Sequence, residues 1–131
     1  MTKMIFVGRK RADMTEDEFI TYWWQIHAPL VSAIPGIRRY VIYPVIGFHS
    51  ADPVCDGLAE MCFDSRAMLE DALASRPGRR MVADLTNFCS PESGAVVVDE
   101  VDVLGASVDP AVMEPPADAR GTWEGEGGAV S

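Results

Sequence analysis

The chain has 131 residues, 48% of them hydrophobic, and a formal net charge of −9. That length suits one domain with a single core, and the composition is that of a globular protein, which excludes a fibrous or wholly disordered chain. The excess of acids excludes the basic stripe that a nucleic-acid backbone or an anionic membrane surface needs, so a small neutral ligand or another protein is the better partner.

The first element is a strand over residues 3–9, with Ile5 and Val7 pointing one way and Met4 and Phe6 the other, so that both faces are apolar. After the turn "RKRAD" comes "TEDEF", in which Thr15 and Glu18 have the spacing of a capping box and the acids suit the dipole of a helix start. The expected apolar stripe is Phe19, Trp23, Ile26 and Leu30, flanked by Ile20, His27 and Val31. Pro29 removes one amide and crowds the preceding turn, which predicts a kink or restart near Ala28; "IPG" then stops the helix.

Residues 37–46 read as a second strand, with Ile37, Val41, Tyr43 and Val45 on one face and Tyr40, Ile42 and Ile46 on the other. Pro44 cannot donate to a ladder, so this strand belongs at an edge or carries a bulge. A loop over 47–56, with His49, leads to a third strand over 57–63. Asp64 or Ser65 caps a second helix with the stripe Met68, Leu69, Ala72 and Leu73. Pro77 and Gly78 interrupt it, a short third helix runs through Met81, Val82 and Leu85, and "GAVVVDEVDVL" is the last strand.

From Gly105 to Ser131 prolines, glycines, small residues and acids dominate, with Trp123 the one large side chain. The expected division is a body over 1–104 and an acidic tail over 105–131, either extended in solvent or laid across the body or a partner with Trp123 as anchor. Without the tail the net charge is −5. The apolar run near the amino end precedes its bases, the reverse of a secretory signal, and no segment approaches the ~18 apolar residues of a membrane span, so a cytoplasmic address is expected. The three cysteines, Cys55, Cys62 and Cys89, are odd in number and widely spaced, as reduced thiols are.

The order β-α-β-β-α-β is the ferredoxin-like, α+β arrangement, in which helices cover one face of a four-stranded antiparallel sheet. A monomer with water on the other face should alternate apolar and polar residues, and these strands do not. At about 25 cal/mol per Å2, an uncovered face of about 500 Å2 forgoes on the order of 10 kcal/mol, so a homodimer packed sheet to sheet is expected.

His27 is the best candidate for chemistry. It can be a histidine satisfied by backbone at the core margin, or an imidazole held neutral by Trp23 and Ile26 and able to accept a proton near neutral pH. Tyr40, on the next strand, either supports the sheet or shares a cleft with His27. Glu60 is a surface carboxylate or a second acid, and Cys62 a buried unreactive thiol. There is no phosphate loop, nucleophile elbow or set of metal ligands at metal spacing.

The run "GRKRADMTEDEFITYWWQIHAPLVSAIPGIRRYVI", with its charged turn, "MTEDEF", "HAPL" and "PGIRRY", resembles the EthD domain family of dimeric α+β barrel proteins. The resemblance implies the sheet-to-sheet dimer and a ligand cleft between helices and sheet. The family's founding member accompanies an ether-degrading monooxygenase system, and other members resemble enzymes acting on lactones or polyketides. A partial resemblance to methylmuconolactone methylisomerase implies catalytic roles for His27 and Tyr40. That isomerase has a catalytic cysteine where Met61 stands here, with Cys62 one residue away and facing oppositely, so its cysteine route needs a bulge in this strand.

The expected function is therefore that of a cofactor-independent enzyme, an isomerase, dehydratase or cyclase, acting on a small oxygenated cyclic compound by proton transfer at His27. Tyr40 would orient or polarise an oxygen, and Tyr22, Trp23 and Met61 would contact substrate. The alternatives are a non-catalytic ligand-binding or accessory protein of an oxygenase or degradation pathway, and haem binding through His27.

Overall fold

The computed structural model describes residues 1–49 and 54–105. Residues 106–131 of the expected tail, Trp123 among them, lie outside the described residues. The chain forms two units, Met1–Asp99 and Glu100–Ser131, and all the regular elements found among the described residues lie in the first. In order these are β1 (Thr2–Gly8), α1 (Glu16–Tyr22), a π-helical turn (Trp23–His27), α2 (Ala28–Ser32), β2 (Arg39–Pro44), β3 (Gly57–Phe63), α3 (Arg66–Ala74), α4 (Arg76–Asp84), a 3-10 turn (Leu85–Asn87) and β4 (Gly94–Asp99).

The four strands form one antiparallel sheet in the order β2-β3-β1-β4. Pro44 ends an edge strand, where its missing amide breaks no ladder bond. The register is continuous from Thr2↔Phe63 to Gly8↔Gly57, so β3 carries no bulge. Directly opposed residues share a face, which fixes two rows toward the helices: Tyr40, Met61, Met4 and Val97, then Ile42, Ala59, Phe6 and Ala95. The other face holds Lys3, Ile5, Val7, Val41, Leu58, Glu60, Cys62, Val96 and Val98. The fold is α+β and ferredoxin-like.

Each helix starts where the sequence offers a cap. The Thr15 hydroxyl accepts from the Glu18 amide at 3.1 Å while the Glu18 carboxylate accepts from the Thr15 amide at 2.9 Å. Ser65, and not Asp64, caps α3 by accepting from the Met68 amide; Asp64 instead pairs with Arg38. Ser75 caps α4 with Pro77 in its first turn, so this proline opens a helix where an interruption was expected. At Gly36 the backbone turns through φ 81°, a conformation that favours glycine, and ends the helical region. β4 stops at Asp99, short of the run to Leu104 that the valines suggested.

The helical stripe departs from the expected one. Phe19, Trp23, His27 and Val31 are the buried residues, every fourth position, while Ile26 is 51% exposed. The cause is the π-turn, in which the Ala28 amide bonds to the Trp23 carbonyl, five residues back. The wider turn holds residues four apart in line and rotates Ile26 outward. Two apolar clusters fill the space under the helices, one around Phe63, Leu69 and Val31, the other around Phe19, Trp23 and Phe88.

Candidate functional site

The π-turn and the strand beside it set the first pair of side chains. Trp23 lies against the start of β3 so closely that a Cβ on Gly57 would stand 2.7 Å from its ring carbon Cζ3. With glycine there, the indole reaches across and its Nε1–H donates to the Tyr40 hydroxyl at 2.7 Å. Because that oxygen accepts from Trp23, the Tyr40 proton remains available to a further acceptor. Burial pushes the Tyr40 pKa up to about 12, against the lowering effect of the Trp23 bond, so the phenol is a donor at neutral pH.

The second pair joins the π-turn to the end of α4. His27, 3% exposed, places Nδ1 2.9 Å from Oδ2 of Asp84. The other carboxylate oxygen of Asp84 accepts from the Tyr22 hydroxyl at 2.6 Å and from the Asn87 amide at 2.9 Å. Burial acts to raise the Asp84 pKa, but the bonds from Tyr22, Asn87 and His27 together outweigh it and hold the carboxyl below its ordinary value. Asp84 is thus ionised and only accepts hydrogen bonds.

Burial lowers the His27 pKa below its ordinary value, and Asp84 only partly offsets this. At neutral pH the contact is therefore a hydrogen bond between a neutral ring and a carboxylate, and no ion pair. An acceptor at Nδ1 requires the proton to sit on Nδ1, which leaves Nε2 with a bare lone pair. Phe88 packs on the ring, 4.7 Å between centroids, and stacks on Tyr22 at 5.0 Å, so the imidazole has little freedom to turn.

A cavity of about 280 Å3 lies between these helices and the sheet, lined by His27, Tyr40, Trp23 and Met61 with Met4, Phe6, Val31, Leu73, Met81, Leu85 and Ala95 among the rest. It brings four of the five expected site residues together. The fifth, Tyr22, does not line it and stands behind His27, bonded to Asp84. Cys62 lies on the opposite face of the sheet, and Cys89, whose thiol burial pushes up to about 12, stays protonated. Glu60 lies on the opposite face too, away from the cavity where a second acid would serve, and it is no free surface carboxylate either: it is 9% exposed, bonded to Lys3 at 2.7 Å and to the Tyr43 hydroxyl at 3.1 Å.

Asp84 was missed by reading the sequence. One signal was present: an acid as the last residue of a helix opposes the helix dipole and needs a partner elsewhere. Among the described residues no group of three or more His, Cys, Asp or Glu could hold a metal ion, and no helix is long and apolar enough to cross a membrane.

Comparison with known proteins agrees with this architecture. An uncharacterised 11.0 kDa protein from the thcB-thcC intergenic region of Rhodococcus erythropolis is 33% identical over 78 residues, covering 60% of this chain and 76% of that protein. Among solved structures, an EthD family protein of Bacillus halodurans C-125 superposes with a TM-score of 0.69 at 23% identity, over 77% of this chain and 99% of the other. A dimeric ferredoxin-like protein of unknown function from Thermobifida fusca gives 0.60 at 16% identity, over 74% and 88%. SnoaB, a cofactor-independent oxygenase from Streptomyces nogalater, gives 0.52 at 17% identity, over 78% and 96%. The sequence profile of the EthD domain matches residues 11–92, more than half of the chain, and the protein belongs to the EthD domain family.

Proposed function

We propose that the protein is a cofactor-independent acid–base catalyst that isomerises, dehydrates or cyclises a small oxygenated cyclic compound. The observation that carries this reading is the His27–Asp84 bond, which fixes the tautomer and leaves Nε2 as a base beside an apolar cavity. In the reaction Nε2 takes a proton from a carbon next to a carbonyl, and the released electron pair moves onto the carbonyl oxygen. Tyr40 donates its hydrogen bond to that oxygen as its charge grows. The imidazolium formed is stabilised by Asp84, and it returns the proton to another carbon or to a departing hydroxide; in ring closure Nε2 instead takes the proton of a hydroxyl whose oxygen adds to the β carbon of a conjugated carbonyl, and the proton goes to the α carbon.

SnoaB supports chemistry without a cofactor on this fold. The sulfur route of methylmuconolactone methylisomerase has no support, because Met61 faces the cavity and the unbulged strand turns Cys62 away. Haem is disfavoured by size, since a porphyrin is several times larger than 280 Å3 allows. The apolar lining favours a second reading, a non-catalytic carrier of an apolar product. Proton exchange separates the two: in D2O, enolisable cyclic ketones should lose their α-protons faster with the protein than without it. His27→Ala should slow this about 10²-fold and Tyr40→Phe about 10-fold. Exchange at the same rate with His27→Ala would remove the catalytic proposal.

The same reading includes a homodimer. The outer sheet face carries Ile5, Val7, Val41, Val96 and Val98, with Val96 55% exposed, and a second copy packed there would cover them. The Thermobifida protein is described as dimeric. Sedimentation equilibrium should give twice the chain mass, and Val96→Asp should return it to one.

A further inference from the structure

Among the described residues that line the cavity beside His27 there is no lysine, arginine, aspartate or glutamate. Its polar side-chain groups are few, and two of them are engaged. The Trp23 N–H bonds to Tyr40, and the Ser93 hydroxyl accepts from the Arg9 amide at 2.9 Å and donates to the Arg9 carbonyl at 3.2 Å. That leaves one acceptor, Nε2 of His27, and one donor, the Tyr40 hydroxyl. None of the described lysines and arginines lines the cavity, and four of them are paired elsewhere, Lys3 by Glu60 on the other sheet face, Arg38 by Asp64, Arg11 by Asp13 and Arg66 by Glu70. Outside the described residues the sequence contains one base, Arg120.

An anion entering this cavity would lose its hydration and find no counter-charge, and the ionised Asp84 directly behind His27 would repel it. A neutral molecule meets no such barrier. Its size follows from the volume: an apolar cavity of about 150 Å3 takes benzene, so about 280 Å3 takes roughly eleven heavy atoms, the size of two fused rings.

We infer that the site takes uncharged, largely apolar molecules of that size with a single carbonyl-type oxygen for Tyr40 and an acidic C–H or O–H for His27, and excludes carboxylates and phosphates. The acidic hydrogen rests on the acid–base reading above; the selection against charge rests on the lining alone.

Matched ligand pairs test this, because shape is kept while charge changes: acetophenone against benzoate, and 4′-ethylacetophenone against 4-ethylbenzoate, titrated calorimetrically into the full chain at neutral pH. The ketone of each pair should bind at least about 10²-fold more tightly than its carboxylate. Equal affinities, tighter carboxylates, or ketones that do not bind would overturn the inference. Ala95→Phe, which fills the cavity from β4, should weaken ketone binding at least 10-fold with an unchanged circular dichroism spectrum; if it does not fold, Val82→Trp, from the 49% exposed side of the wall, serves instead. Unchanged ketone affinity in a folded variant would place the ligand elsewhere and also overturn it. Ketone binding without deuterium exchange upholds the ligand class and removes only the catalytic proposal.

Discussion

Two largely buried carboxylates with hydrogen-bond partners, one on the outer face of the sheet and one at the end of α4 over the other face, are built for different ends. Glu60, on the outer face, is bonded to the Lys3 ammonium and the Tyr43 hydroxyl, and the Lys3 bond outweighs burial to hold its pKa below the ordinary value. Asp84, on the helix-covered face, reaches the same state with neutral partners only, Tyr22, Asn87 and His27. Glu60 is neutralised where it stands, whereas Asp84 keeps its charge next to an imidazole that can become a cation. A balanced ion pair is complete in the resting protein. An unbalanced carboxylate beside a neutral histidine is complete only when a proton arrives.

That contrast can be broken most sharply by Asp84→Asn. Without the carboxylate nothing requires the proton on Nδ1, and proton exchange of a bound ketone should fall about 10³-fold, whereas Glu60→Gln should change it by less than about 3-fold. Similar losses from both, measured side by side, would erase the difference between the faces.

Next in size is packing. Phe88 is fully buried and touches Phe19, Tyr22, Trp23 and His27, so Phe88→Ala should cost about 3–5 kcal/mol in denaturant unfolding. It should also free the imidazole, and exchange should drop even in the fraction that stays folded.

The pH dependence sharpens the comparison from another side. The folded pKa of His27 is lowered, so below about pH 6.5 the unfolded chain binds a proton that the folded chain does not, and stability falls as pH drops toward the folded value. Asp84 and Glu60, also lowered, add stability that is present above the ordinary carboxylate range and lost as pH falls through their folded values. Unfolding midpoints should therefore decline between pH 7 and 5 in the wild type, and His27→Asn should flatten that interval while leaving the loss at lower pH. The smallest effect belongs to Tyr43→Phe, which removes one bond to an already paired Glu60 and should cost about 1 kcal/mol with no change in exchange.

Much of the framework was legible in the chain because it depends on local rules. The capping box at Thr15 and Glu18, the edge placement of Pro44, and the alternation that sends Tyr40 and Met61 to one face of the sheet all follow from neighbours in sequence. His27 and Tyr40 could be named for the same reason. What was not legible depends on distance or on a departure from ideal geometry. Ile26 was expected inside and is exposed, because the π-turn moved the stripe, and no residue pattern in "YWWQIH" announces a wider turn.

Asp84 is 57 residues from His27, and its role exists only once α4 packs against the π-turn region. The pairing of Glu60 was not legible for a related reason: an acid in an otherwise apolar strand reads as a surface residue or a second acid until the register sets Lys3 one strand away and Tyr43 within reach.

The measurement that bears most directly on the central claim is the tautomer of His27, read from nitrogen-15 chemical shifts and one-bond couplings. The chain has two histidines, and Asp84→Asn assigns the relevant one by the signals it moves. At neutral pH the ring should be uncharged, with hydrogen on Nδ1 and an unprotonated Nε2. An imidazolium at that pH, or a neutral ring with its proton on Nε2, would contradict it.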